Sequence, residues 1–207
     1  MFRRFLRTYL LNARQGVVTA RALSAYRRAH EALRHRLELS AELEQAQVSL
    51  ACQTSGLDRD IILSAKEQWF EREALALLSA HRFSGLREFL ALCRERGLHR
   101  AIVSDYPAAT KLEALGLRSY FEIVICAQDA SVQALKPNPR GLQLALERLG
   151  VKPADAVYIG DRRGVDDVAA LAAGMRPIIL KRSWRRNEAP LCVSNYHVLR
   201  AMMFPGG

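Results

Sequence analysis

Lysine is scarce in this sequence: only Lys66, Lys111, Lys136, Lys152 and Lys181 stand among 31 basic residues, the rest being arginine. The formal charge of +10 favours acidic partners such as phosphate esters, nucleic acid or an anionic surface, without choosing among them. No ladder of basic and aromatic residues interleaves along the chain, so the arginines read as solvated helix faces and nucleic acid as a partner rests on charge alone. Cysteine is sparse too. Cys52, Cys93, Cys126 and Cys192 form no C-x-x-C pair and have no histidine at ligand spacing, which argues against a zinc site and for reduced, mostly buried thiols. The five histidines make neither a cluster nor H-E-x-x-H. No run approaches the roughly 18 apolar residues of a membrane span. The basic and apolar stretch from Met1 to Leu11 lacks a small-residue cleavage site, so no targeting signal is read and a cytoplasmic location without membrane partners is expected.

What is present is an ordinary globular balance: 207 residues, 50% apolar and 25% charged, with no internal repeat or low-complexity tract. That length suits one sizeable core, or a core with a small appended module. Residues 1–82 read as helices with short breaks. Phe2, Phe5, Leu6 and Tyr9 recur at helical spacing; Ala22, Leu23, Tyr26, Ala29, Leu33 and Leu37 form a second apolar stripe. A third helix is predicted over Ala41–Ala51, broken at Gly56. A fourth, capped by Asp58, runs through Ile61, Ile62, Ala65, Trp69 and Phe70.

From residue 83 to 182 the pattern alternates between helices and short apolar strands. Gly85–Arg96 is an amphipathic helix, and Arg100–Val103 a strand reaching Ser104-Asp105. Ala108–Leu115 is a helix, and Phe121–Cys126 a strand followed by the loop that holds Lys136-Pro137. Gly141–Leu149 is a helix, Ala156–Gly160 a strand, and Pro177–Leu180 another. Between the last two strands lies an acidic loop from Asp161, then an alanine-rich helix opening at Asp166/Asp167 and closing at Gly174. Strands spaced by helices of this length predict an α/β fold, a doubly wound parallel sheet with right-handed crossovers. Residues 183–207, of mixed composition, are expected to wrap the surface.

In a parallel sheet the carboxyl ends of the strands share one edge, where ligands bind. Ser104, Asp105, Lys136, Asp161 and Asp166 therefore converge: a hydroxyl, an ammonium and carboxylates. Singly, each has an ordinary alternative, Ser104 and Asp166 as caps, Asp161 as a turn residue and Lys136 as a solvated charge. Together they are a phosphate-handling set. A serine hydroxyl and nearby backbone amides hold phosphoryl oxygens, a lysine neutralises charge, and carboxylate oxygens suit Mg2+.

These residues give residues 83–182 a resemblance to the haloacid dehalogenase-like hydrolase superfamily. The strand ending in Ser104 looks like its second motif and Lys136 before Pro137 like its third. Gly160-Asp161 with Asp166 looks like the fourth, written G-D-x-x-x-x-D. The helical first part is similar to that superfamily's helical cap, expected to pack over the cleft. The resemblance implies a Rossmann-like core and a magnesium-dependent phosphatase of a small phosphorylated metabolite. It also implies that Ser104 binds the phosphoryl group, Lys136 stabilises it, Asp161 helps hold magnesium, and Asp166 positions the metal's shell or Lys136.

The superfamily's first motif, an apolar strand ending D-x-D-x-[TV], is not found. The one D-x-D, Asp58-Arg59-Asp60, follows Ser55-Gly56-Leu57 and runs into a helix, so it reads as a capping pair. Without a carboxylate nucleophile no aspartyl-phosphate forms, and the chain alone is expected to be inactive, a truncated form of a longer enzyme. The alternative is a non-catalytic phosphate-binding or interaction domain. The resemblance puts the first strand in the sheet centre, between the strands of Ser104 and Asp161, so the sheet is expected to divide.

Overall fold

The computed structural model describes residues 13–34, 42–75, 78, 83–181 and 191–205. The stripe at Phe2–Tyr9 and Leu37 lie outside them. The chain divides into two compact units, residues 1–81 and 82–207.

In the first unit, α1 (Ala13–Leu33) packs against both α2 (Leu43–Ser55) and α3 (Arg59–Lys66), which runs on into a π-helical stretch over Glu67–Arg72. Ala22, Tyr26, Ala29 and Leu33 of the predicted stripe are buried, and alanines at 22, 25 and 29 let the helices approach closely. Asp58 stands at the N-cap position of α3, but its side chain makes no capping bond. A polar chain is buried here as well. The Arg34 guanidinium donates to His30 Nε2 at 2.9 Å. The His30 Nδ1–H then donates to Gln47 Oε1 at 3.3 Å, and the Gln47 amide donates to the Tyr26 carbonyl at 3.1 Å. Each buried polar group thus answers the next, as low-dielectric surroundings require. Lys66 ties Glu44 (2.5 Å) to Glu71 (3.0 Å); burial works against its charge, but the two carboxylates raise its pKa.

The second unit is α/β. Its order is α4 (Leu86–Glu95), β1 (Ala101–Ser104), α5 (Ala109–Ala114), β2 (Ile123–Cys126), α6 (Arg140–Leu149), β3 (Val157–Gly160), α7 (Asp166–Ala172), β4 (Arg176–Leu180), β5 (Leu191–Val193) and α8 (Tyr196–Met203). Helix ends follow from glycine: Gly150, past α6, sits at φ +65°, a left-handed conformation other residues adopt at a cost. Strands pair in parallel throughout. Ala101 to Ser104 lie opposite Ile123 to Cys126, Val157 to Gly160 opposite Arg176 to Ile179, and Ile178 to Leu180 opposite Leu191 to Val193. Among the described residues these make two separate ladders, β1–β2 and β3–β4–β5.

Successive strand residues face opposite sides, and the packing follows that period of two. Ile102 and Val124 meet Leu90 of α4 and Leu112 of α5. Val157 and Ile159 belong to a cluster with Phe89 of α4 and Leu199 of α8. On the other side, Ala101, Val103 and Ile125 meet Ala145 of α6, and Tyr158 meets Leu142 of α6 and Ala169 of α7. Helices therefore cover both faces, the doubly wound arrangement expected. All four cysteines are free thiols, three of them buried, and burial pushes the Cys93 thiol up.

One expectation needs correction. Residues 183–207 do more than wrap the surface, because β5 and α8 complete the ladder and the core: Val193, Leu199 and Phe204 are buried against Phe89, Ile178 and Leu180. Each such side chain stabilises by about 1.5–3 kcal/mol. Leu199→Ala, at a position with 0% exposure, is expected to destabilise the protein by about 2–5 kcal/mol in urea denaturation. Met202→Ala, 40% exposed on the same helix, stays within about 0.5 kcal/mol. Equal, small effects would mean that the tail contributes no core.

Candidate functional site

The ends of β1 and β3 and the loop after β2 meet at one edge of the α/β unit. Lys136, on that loop, aims its ammonium at the Asp166 carboxylate, with Nζ 2.7 Å from Oδ1. The same nitrogen donates to the Tyr158 hydroxyl at 2.8 Å, and that hydroxyl donates on to Asp166 Oδ1 at 3.3 Å. Tyr158 thus sits between cation and anion, with Lys136 also 5.4 Å from its ring centroid. The Lys136 backbone N–H donates to Asp105 Oδ1 at 3.3 Å, which ties the loop to the end of β1.

Asp166 opens α7 and is buried, at 2% exposure. Its second oxygen, Oδ2, accepts from the backbone N–H groups of Asp161 (3.0 Å) and Arg162 (2.9 Å). Four donors therefore occupy the roughly four lone-pair sites of a carboxylate. Gly160 makes room for it: a Cβ there would stand 2.4 Å from Asp166 Cβ and 2.5 Å from its Oδ2. Asp167 Oδ1 closes the turn on the Gly164 amide at 2.6 Å.

Electrostatics follow from these neighbours. Burial opposes the Lys136 charge, but Tyr158, Asp105 and Asp166 together hold its pKa above the ordinary lysine value. Burial pushes Tyr158 up to about 12, with Lys136 opposing that rise and Asp166 adding to it. Tyr196 is likewise raised to about 12, by burial first and then by the charge of Asp161. At neutral pH both phenols keep their protons, so the lasting hold on the ammonium is that of the two carboxylates.

Of the five residues expected at the edge, Asp105, Lys136 and Asp166 form one bonded group. Asp161 joins through its backbone amide, its side chain lying on an exposed turn. Ser104 ends β1 beside them, with Oγ accepting from the Tyr106 N–H at 3.3 Å. Sequence reasoning missed Tyr158; a lone hydroxyl in an otherwise aliphatic strand was the available signal. Among the described residues no group of three or more His, Cys, Asp or Glu is placed to hold a metal ion. Nor is any helix there long and apolar enough to cross a membrane.

This geometry has relatives. A family profile described as haloacid dehalogenase-like hydrolase matches residues 8–174. A phosphoglycolate phosphatase of Escherichia coli (strain K12) is 36% identical over 110 residues, 52% of this chain and 42% of that protein. One from Pectobacterium atrosepticum is 34% identical over 110 residues, 52% of this chain and 46% of that protein. The matched part of the chain thus spans less than half the length of either phosphatase. A 2-haloacid dehalogenase from Pseudomonas syringae pv. Tomato superposes on 97% of this chain and 88% of its own, with a TM-score of 0.60 and 21% identity, a likeness of fold.

The raised phenol gives a pH test. A group whose pKa is higher folded than unfolded stabilises fully below its unfolded value and ceases to as pH rises through the folded one. For Tyr158 the loss falls between pH 10 and about 12 and amounts to roughly 2–3 kcal/mol. Urea midpoints measured from pH 8 to 11.5 should fall above pH 10 for the wild type, and less steeply for Tyr158→Phe. Identical slopes would show that folding does not raise the pKa of the Tyr158 hydroxyl.

Proposed function

The chain belongs to the haloacid dehalogenase-like hydrolase family, and on that premise we propose that its α/β unit is the phosphate-handling core of a magnesium-dependent phosphohydrolase of small phosphorylated metabolites. The observation that carries this reading is Lys136, a partly buried ammonium fixed at the edge where three strand ends converge. Preorganised positive charge of that kind stabilises phosphoryl oxygens at no cost of reorganisation during reaction. Similarity to phosphoglycolate phosphatases supports a small, doubly anionic substrate.

In this reading Ser104 Oγ and the backbone amides after β1 hold the phosphoryl oxygens, and Lys136 neutralises them. Asp166 and Asp105 keep Lys136 aimed: the Asp166 carboxylate accepts from the Lys136 ammonium, and the Asp105 carboxylate accepts from the Lys136 backbone N–H. Asp166 spends its oxygens on Lys136, Tyr158 and two amides, so its role is to position the lysine. Asp161 is the carboxylate on the exposed turn and would be one ligand to magnesium, with phosphate oxygens filling part of the shell. Such an ion, when bound, shields the phosphate's charge from an incoming nucleophile.

A second reading, phosphate binding without turnover, is favoured by the carboxylates themselves. Asp105 and Asp166 are engaged on Lys136, and Asp58-Arg59-Asp60 begins α3 and follows no strand in the chain order of the described residues. With no carboxylate in line to attack, positioned phosphate gains little rate. The 207-residue chain is therefore expected to release phosphate from a generic ester at background rate, with or without magnesium. Inorganic phosphate at about a hundredfold excess over Kd should still stabilise it by about 2–3 kcal/mol in thermal melts, an effect lost in Lys136→Met. Unchanged stabilisation in Lys136→Met would end the phosphate reading. Robust turnover abolished by Asp58→Asn or Asp60→Asn would locate the nucleophile in α3.

A further inference from the structure

Ser84 and His197 lie 113 residues apart in the chain and are bonded to each other on the surface of the α/β unit, with Ser84 Oγ 3.0 Å from His197 Nε2. Both residues are exposed, so the pair is open to reagents in solution. Ser84 stands just ahead of α4, and His197 is in the first turn of α8. The two segments are clamped through the backbone as well, the Tyr196 N–H donating to the Ser84 carbonyl at 3.1 Å. Gly85, at φ +80°, seats the imidazole: a Cβ there would stand 2.9 Å from His197 N and 3.0 Å from its Cγ and Nδ1. Backbone contact therefore orients the ring, and among the described residues no carboxylate is bonded to its Nδ1.

Stability does not call for this pair. α4 and α8 are already joined by Phe89, Leu199 and Phe204, and an exposed neutral hydrogen bond adds little to that. What the pair has is the arrangement of an activated hydroxyl: a histidine nitrogen within reach of a serine Oγ, with the ring held from behind. Donors stand beside it. The first-turn N–H groups of Leu86, Arg87 and Glu88 have no acceptor inside α4 and face out of the end at which Ser84 stands, and Gly85 at the N-cap has no side chain to take them. In α8, by contrast, Asn195 accepts the Val198 N–H at 3.0 Å. Phe83 and Tyr196, the chain neighbours of the pair, meet edge to face with ring centroids 6.5 Å apart and give it a half-buried aromatic flank.

We propose that Ser84 and His197 form a reactive site that shares no side chain with the edge at Lys136, a serine nucleophile with its base, accepting acyl groups from small aryl esters. In the tautomer with the proton on Nδ1, His197 Nε2 takes the Ser84 hydroxyl proton as Oγ bonds to the ester carbonyl carbon. The bond from that carbon to the aryl oxygen then breaks, and the imidazolium returns the proton to the leaving phenolate. Water completes the cycle: His197 takes its proton, its oxygen bonds to the acyl carbon, and Ser84 recovers the proton as the carboxylic acid departs. The first-turn amides of α4 are the donors for the carbonyl oxygen as it becomes an anion. Aryl esters follow from two observations. The Phe83–Tyr196 flank suits a ring, and a histidine without a carboxylate behind it is a modest base that needs a good leaving group. The pair stands whether or not the edge at Lys136 handles phosphate.

The test uses the full 207-residue chain and p-nitrophenyl acetate, with nitrophenolate release followed by absorbance and the acetyl group located by mass spectrometry of digests. Ser84 is expected to carry the acetyl group ahead of every other residue. Ser84→Ala should slow nitrophenolate release, and His197→Gln the acetylation of Ser84, each by about tenfold or more. Both variants should melt within about 3 °C of the wild type, since the bond they remove is exposed. Met202→Ala, on the same helix, should react as the wild type does. An acetyl group on lysines or on Cys52 with Ser84 unmodified overturns the proposal, as does release no faster than in buffer. Acetylation of Ser84 at the wild-type rate in His197→Gln also overturns it, because the histidine is then no base. The position of the acetyl group in the wild type decides the matter even where a variant proves less stable.

Discussion

The carboxylate of Asp166 is the hinge of this structure. It is taken out of water at the first turn of α7, where an ionised group without partners costs several kcal/mol, and it answers that cost with four donors. Two of them, Lys136 and Tyr158, come from elsewhere in the fold; the other two are the amides of the turn that carries Asp161. One side chain therefore fixes the turn after β3 and the loop after β2, and Asp105 adds the end of β1. The glycine before Asp161 belongs to the same constraint, since any side chain at 160 would occupy the space of the Asp166 carboxyl. The spacing G-D-x-x-x-x-D is thus a packing requirement as much as a chemical one.

Around that edge the fold divides its work between layers. Alternate residues of each strand feed two helix layers, so the helices hold β1 and β3 in position although no backbone bond joins their ladders among the described residues. The Lys136–Asp166 ion pair depends on that spacing, because Lys136 reaches Asp166 only if the two ladders keep their separation.

Much of this was legible in the sequence, for physical reasons. Short apolar runs bounded by glycine marked β1 to β4 within one or two residues, because buried parallel strands admit little else. The loops were legible because charged residues immediately after such runs have few other uses. Tyr158 was hidden by its surroundings; its ring packs with Leu142 and Ala169 as an aliphatic residue would, while its hydroxyl serves the ion pair. β5 and α8 were missed because Leu191–Val193 is three residues long and the stretch before it is arginine-rich, so neither period stood out. At Asp58 the helix start was read correctly from residue type, but the side-chain bond that motivates such readings is not made.

The central claim is that Asp166 keeps the partly buried Lys136 charged and aimed. An NMR titration of the Lys136 side chain, labelled at Cε and Nζ, tests it in the wild type and in Asp166→Asn. The account predicts a wild-type pKa above the ordinary lysine value of about 10.4. Asp166→Asn leaves burial to act with only Asp105 opposing it, and the value should fall by about one pH unit or more. An unchanged Lys136 pKa in Asp166→Asn would contradict the account.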